Sequence, residues 1–164
     1  MNDIRKILVT TGWETDQNNA LTEIVIPSTV ATINAPRKVT FMGQTLNWMP
    51  SSTSALQEFE APNITTYSPG VIFSSNYTKL TTVKLTGFVT YPTTAYNMGA
   101  FYLNTYIQNV QLGSSGHPVT SIGNYLFQNC TQSGLTITVY TADGNAISGS
   151  PWGATNATIV WEEA

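Results

Sequence analysis

Apolar residues recur along the chain in one short pattern, apolar-x-x-apolar-x-apolar. It is clearest in Leu80, Val83 and Leu85 of LTTVKL and in Ile107, Val110 and Leu112 of IQNVQL. Earlier instances are Ile4, Ile7 and Val9, then Leu21, Ile24 and Ile26, then Leu56, Phe59 and Ala61. A weaker one lies around Val39 and Phe41, and GLTITV fits with Gly134, Ile137 and Val139 in the three positions. Starts at 56, 80, 107 and 134 are separated by 24, 27 and 27 residues. Phe73, Phe101 and Phe127 each fall late in a repeat, and Asn76, Asn104 or Cys130 stands three residues after each Phe. Two landmarks in phase over three repeats predict a solenoid, in which each repeat adds one short strand to a parallel stack.

Side chains on a strand alternate between its faces, so the fourth and sixth positions of the pattern point inward together. The first position turns inward where the chain enters the strand. Turns follow, as in Pro27-Ser28-Thr29 and Gly113-Ser114-Ser115-Gly116. A second segment then returns along the other side and carries the Phe inward. In VTSIGNYLFQNC the expected core residues are Val119, Ile122, Leu126 and Phe127. The returns TAYNMGAFYL and GNYLFQ lack strand alternation and are expected to be short helical or 3₁₀ segments in a mostly β protein. Residues 56–133 read as regular repeats, and 134–164 as a last repeat and C-terminal cap. Residues 1–55 lack the Phe landmark and read as an N-terminal cap or divergent repeats. An exposed end coil shows apolar surface and an open strand edge. Trp152 and Trp161 are therefore expected to lid the C-terminal end, and Trp13 and Trp48 the N-terminal end.

VTSIGNYLFQNC, followed by a new apolar strand, resembles the BspA-type leucine-rich repeat. IPSTVATI, at Ile26–Ile33, resembles the strand-end and turn portion of the same unit, and GSPWGATNATIVWE resembles the closing segment of such arrays. The resemblance is best from about Leu56 onward. It implies a right-handed leucine-rich-repeat solenoid with short parallel strands, in a bacterial cell-surface or host-attachment context. It also implies that the Asn or Cys after each Phe points inward and satisfies backbone groups of the turn.

Composition narrows the partners. Of the 164 residues only 9% are charged, against about 25% in an average domain, while 41% are hydrophobic and 11% aromatic. Low charge therefore does not mean disorder here, because disordered chains lack aromatics and carry high net charge. Six basic against nine acidic residues give a net charge of −3. Nucleic acid is disfavoured as a partner, since its binding needs clustered Lys and Arg. Membrane insertion is not expected, for no apolar run approaches the roughly 20 residues of a span. Met1–Thr10 is apolar in part but has no cleavage site behind it, so it does not read as a signal peptide.

Catalytic chemistry has little to draw on. His117, the single histidine, sits in Ser-Gly-His-Pro, an exposed-turn context with no acid nearby in sequence. Cys130, the single cysteine, occupies the slot held elsewhere by Asn76 and Asn104, which reads as structural. Asp143-Gly144-Asn145 reads as a turn and is only a weak calcium cue. No metal-ligand cluster, Walker loop or GxGxxG motif is present, so no cofactor and no enzymatic activity are expected. Glu58 and Glu60 flank Phe59 and face outward, where a flat sheet face offers no pocket to desolvate an acid as a glycosidase needs.

What remains is a surface. The outward third and fifth positions give a ladder: Lys6 and Leu8, Glu23 and Val25, Glu58 and Glu60, Thr82 and Lys84, Asn109 and Gln111, Thr136 and Thr138. Glu60 is expected to pair with Lys84 on the next strand. Solenoids bind partners across such faces. The candidate ligand-binding residues are Glu58, Glu60, Thr82, Lys84, Asn109, Gln111, Thr136 and Thr138. Tyr91, Tyr96, Tyr102 and Tyr106 form a second candidate surface, with core and coil packing as the alternative, expected for about half of them. The expected function is a non-enzymatic protein- or glycan-binding module for adhesion or attachment at a cell surface. The alternative is a phage virion component, such as a decoration, fibre or tail module, whose partners are other virion subunits. Self-association is open under both.

Overall fold

Each inward apolar triplet closes one coil. In the computed structural model the described residues are the strand segments 6–8, 23–26, 38–41 and 45–46, together with residues 56–67, 72–73, 77–87, 90–91 and 99–164. The main strands are β1 (Lys6–Leu8), β2 (Glu23–Ile26), β3 (Lys38–Phe41), β5 (Glu58–Ala61), β7 (Thr82–Leu85), β9 (Asn109–Leu112), β11 (Thr136–Thr141) and β12 (Thr158–Glu163). They form one parallel sheet in the order β1-β2-β3-β5-β7-β9-β11-β12. Between them lie four two-residue strands, β4 (Thr45–Leu46), β6 (Thr66–Tyr67), β8 (Thr90–Tyr91) and β10 (Ser121–Ile122). These form a second parallel sheet, β10-β8-β6-β4. The chain thus winds as a β-solenoid, and the apolar triplets fill its interior.

The strands are rich in Thr, Val and Ile, whose branched side chains suit a pleated half-buried surface. Burial alternates as expected: Phe59 and Ala61, Val83 and Leu85, Val110 and Leu112, and Ile137 and Val139 are all at most 2% exposed. Leu56, Leu80 and Ile107 are buried where the chain enters each strand. In the last of these coils that position belongs to Leu135, not Gly134. Gly134 is exposed with φ +84° and makes the turn that delivers Leu135 inward. The weak repeat around Val39 and Phe41 is β3, which pairs in parallel with β5 as Lys38↔Glu58, Val39↔Phe59 and Thr40↔Glu60.

The expected helical or 3₁₀ returns are absent among the described residues. Asn124–Asn129 is a chain of turns. Ahead of it, Ser121 and Ile122 pair with Thr90 and Tyr91 in the second sheet. A strand of two residues is too short to display the alternation that would have marked it. Val119, Ile122, Leu126 and Phe127 are all in the core.

An aromatic spine runs through that core. Phe73 and Phe101 stack at 4.8 Å with planes 19° apart, and Phe101 and Phe127 at 4.6 Å and 14°. Phe59 meets Phe73 edge-on at 5.3 Å. At the other end Phe127 continues to Trp152 at 6.4 Å, and Trp152 meets Trp161 edge-on at 5.8 Å. Backbone bonds follow the same line: Phe73 N to Ala100 O, Phe101 N to Leu126 O and Phe127 N to Trp152 O. The Phe landmark is therefore a stack, and Trp152 fills its slot in the final coil. Trp161 lies beyond it on β12, half-buried against the core. Trp13 and Trp48 lie outside the described residues.

Asn104 is fully buried behind the spine. Its Nδ2 donates to Phe73 O at 3.0 Å, and its Oδ1 accepts from the N–H groups of Tyr106 and Ile107, both at 2.9 Å. One side chain thus satisfies three backbone groups that burial would otherwise leave unpaired. Cys130 Sγ donates to Phe101 O at 3.0 Å, the equivalent bond one coil later. Asn76 lies outside the described residues.

Coils approach closely at Gly99, where an added methyl would sit on Leu126 Cα. We expect Gly99→Ala to lower stability by about 1–3 kcal/mol in urea unfolding, the usual cost of overpacking. Leu103 adopts φ +58°, while Asn129 holds the equivalent turn position one coil later at φ +63°. The left-handed conformation costs a branched residue about 1–2 kcal/mol and Asn less. Leu103 is 44% exposed, so little packing is at stake. Leu103→Asn should therefore raise the unfolding midpoint, and a lowered midpoint would show that the Leu103 side chain contributes packing instead.

Candidate ligand-binding face

Strict parallel register turns the outward residues into two rows. Along the first stand Glu58, Thr82, Asn109, Thr136 and Thr158; along the second, Glu60, Lys84, Gln111, Thr138 and Val160. Neighbouring strands lie about 4.8 Å apart, so each row is a ladder of close side chains. All eight candidate residues fall on these two rows. The rows continue on the N-terminal side through Lys38 and Thr40 at the register positions of Glu58 and Glu60. Beyond them come Glu23 and Val25, then Lys6 and Leu8.

Lys38, Thr40, Thr158 and Val160 belong to the rows although their strands lack the full apolar triplet. Both strands lack an apolar residue at the first position: Pro36 precedes Val39, and Asn156 precedes Ile159. Alternation of Val39 with Phe41 and of Ile159 with Trp161 was the available signal.

The face divides in two. At Glu58 and Glu60 it is ionic: Lys84 Nζ lies 3.0 Å from Glu60 Oε1 and 3.2 Å from Glu58 Oε1. The hydrogen bond to Glu60 raises the Lys84 pKa above the ordinary lysine value, aided by Glu58 and opposed by partial burial. The ammonium is held between two carboxylates, so this end offers no net positive charge to an anion. Toward β11 the outward residues of β9 and β11 are uncharged. There a shallow depression of about 130 Å³ is lined by Thr82, Val83, Lys84, Asn109, Val110, Gln111, Thr136 and Thr138. Six of the eight candidate residues therefore share one concavity. Lys84, its ammonium paired with Glu58 and Glu60, forms one side; the other five present hydroxyls and amides, which bond to neutral polar groups without the cost of desolvating a charge. Gln111 already donates Nε2 to Gly113 O at 3.0 Å, which holds its amide along the edge of the face.

Of the second candidate surface, Tyr91 is withdrawn into the core. Tyr91 is 1% exposed on β8, because its register partner Ile122 also points into the core. Tyr102 is half-buried, Tyr106 is 42% exposed, and Tyr96 lies outside the described residues.

The remaining reactive side chains have structural surroundings. His117 is exposed in a tight turn, where Ser114 and His117 exchange backbone bonds of 3.1 and 3.0 Å. Ser114 Oγ lies 3.3 Å from His117 Nδ1 but donates to Thr86 O at 2.8 Å, so its proton is held by a carbonyl. Asp143 accepts from Asn145 N at 3.0 Å and Asn145 Nδ2 at 2.8 Å, bonds that hold its carboxyl below the usual range. Both carboxylate oxygens thus serve their own turn. Among the described residues no group of three or more His, Cys, Asp or Glu gathers. Trp152 is fully buried and donates Nε1 to Ser148 O, so it offers no ring face to a sugar.

Burial pushes the Cys130 thiol up to about 12. It stays neutral through the stable pH range, and only the thiolate is nucleophilic. A thiol reagent such as DTNB at pH 8 should leave native Cys130 unmodified and react fully once the chain is unfolded. Rapid reaction of the folded protein would contradict the buried slot. Lys84 is 37% exposed, so its ion pairs are screened and contribute about 0–1 kcal/mol. With its pKa raised on folding, that contribution is present below the ordinary lysine value and is lost as pH rises through the raised one. Lys84→Met should accordingly shift stability by less than about 1 kcal/mol at pH 7. A larger loss would mean that the pair is far better shielded from solvent than its exposure indicates. The chain matches no protein-family model, no curated protein and no solved structure.

Proposed function

We propose that the chain is a non-enzymatic binding module of the leucine-rich-repeat type, which engages a protein or a glycan across its flat parallel sheet. One observation carries this reading: Thr82, Asn109, Gln111, Thr136 and Thr138, five neutral polar residues of β7, β9 and β11, line one shallow depression of the outward face beside Lys84. A rigid ladder of this kind presents hydroxyl and amide groups at fixed spacing, which suits a repeating, uncharged polar ligand. The repeat pattern, the buried Asn104 and Cys130 slots and the short parallel strands support the leucine-rich-repeat assignment. That assignment favours a cell-surface or extracellular setting and an attachment role. The scarcity of acids and the single, carbonyl-flanked Ser114–His117 pair speak against catalysis.

A second reading is a structural subunit of a virion, and the outer edge of β12, which has no strand beside it among the described residues, favours it. Neighbouring capsid or tail genes would support this reading, and a secretion signal or surface-sorting motif would support the first.

The test is a screen of neutral glycans and host surface proteins with the wild-type chain and with Asn109→Ala/Gln111→Ala/Thr138→Ala. We expect a hit that the triple variant weakens at least about tenfold, or about 1.4 kcal/mol, with the thermal midpoint unchanged. Binding that survives the triple variant at full strength would exclude the depression as the site.

A further inference from the structure

β12 ends the large sheet, and its outer edge has no strand beside it among the described residues. The inward side is also incompletely covered. Ile137 and Val139 are fully buried, whereas their register partners on β12, Ile159 and Trp161, are only half-buried. Backbone polarity at this edge is set by two bonds. Thr158 N donates to Leu135 O and Ala164 N to Thr141 O, so even-numbered residues of β12 address β11. In a parallel ladder alternate residues bond to opposite neighbours. Ile159, Trp161 and Glu163 therefore present their N–H and C=O groups to the open edge.

We propose that a second copy of this chain pairs antiparallel with β12 about a twofold axis at Val160. The pairing is self-complementary in every layer. Ile159 of one copy meets Trp161 of the other, twice, and both residues have outward-facing backbone groups, so these are the hydrogen-bonded pairs. Each pair also covers the half-buried inner side of the other copy. On the outer face Val160 meets Val160, and Thr158 of one copy lies opposite Glu162 of the other, where its hydroxyl can donate to the carboxylate. Glu162 and Glu163 never face a carboxylate in this register. A one-step slip to Trp161 opposite Trp161 would set Val160 against Glu162 and Ile159 against Glu163, which is poorer chemistry. A C2 contact uses the same patch twice and closes, so it yields a dimer and not a fibre. A six-residue edge is small beside a stable interface of about 1,200–2,000 Å², so the association depends on concentration. The pairing does not depend on the sheet face having a ligand.

The test is light scattering over a concentration series on the full chain. Wild type is expected to rise from the monomer mass of 17.8 kDa toward twice that value. Val160→Lys places two ammonium groups on the axis and should hold the protein at monomer mass with an unchanged far-ultraviolet spectrum. Val160→Thr should still dimerise. Mixing Val160→Lys with Val160→Glu should restore the dimer. The proposal is overturned if wild type stays a monomer at every concentration, if it forms open-ended assemblies, or if Val160→Lys dimerises as wild type does.

Discussion

The repeat of the coil is fixed by hydrogen bonding between parallel strands, at about 4.8 Å, and aromatic rings stack comfortably at that same distance. The Phe73–Phe101–Phe127 spine depends on this coincidence, with centroid spacings of 4.8 and 4.6 Å. A ring placed once per coil then meets its counterpart at the favoured separation with no adjustment of the backbone. Both sheets, the inward triplets and the outward rows inherit their register from this common pitch. Trp152 fills the slot at the C-terminal end of the spine, with its N–H satisfied by Ser148 O, so a larger ring ends the stack without an orphaned donor.

A stacked interior still has to satisfy the backbone that turns within it. Asn104 does so for three groups at once, and the equivalent thiol of Cys130 reaches only Phe101 O. The two solutions differ in capacity but share one direction, from the turn of one coil to the carbonyl of the preceding coil. Gly99 belongs to the same constraint, since the return segments run so close that no Cβ fits between them. The exterior is freed from structural duty as a result. It can carry Thr, Asn and Gln at positions that the core does not need, and these residues compose the depression on the outward face.

Much of this was legible in the residues. The triplets from Leu56 onward located the strands and their inward sides, and the Phe and Asn or Cys landmarks located the spine and the buried slot. The outward ladder follows from the strand register by alternation alone, which is why all eight candidate positions share two rows. The second sheet was not legible, because two-residue strands such as Ser121–Ile122 show no periodicity. The inward place that fixed spacing gives to Gly134 belongs to Leu135, since a left-handed turn at Gly134 shifts the entry by one residue. Which of the tyrosines are buried is not legible for a related reason: Tyr91 lies beside Ile122 in the second sheet, a pairing 31 residues away. Glu58, the second carboxylate partner of Lys84, is diagonal to it across the ladder and becomes visible only with the side chains in place.

The most direct test of the spine is a double-mutant cycle on Phe101 and Phe127, each replaced by Leu alone and together, with stability read from urea unfolding. Stacked neighbours in one spine should be coupled by about 0.5–1.5 kcal/mol beyond the sum of the single losses. Strictly additive losses would mean that the rings are merely buried side by side, and that strand pairing alone holds the coils in register.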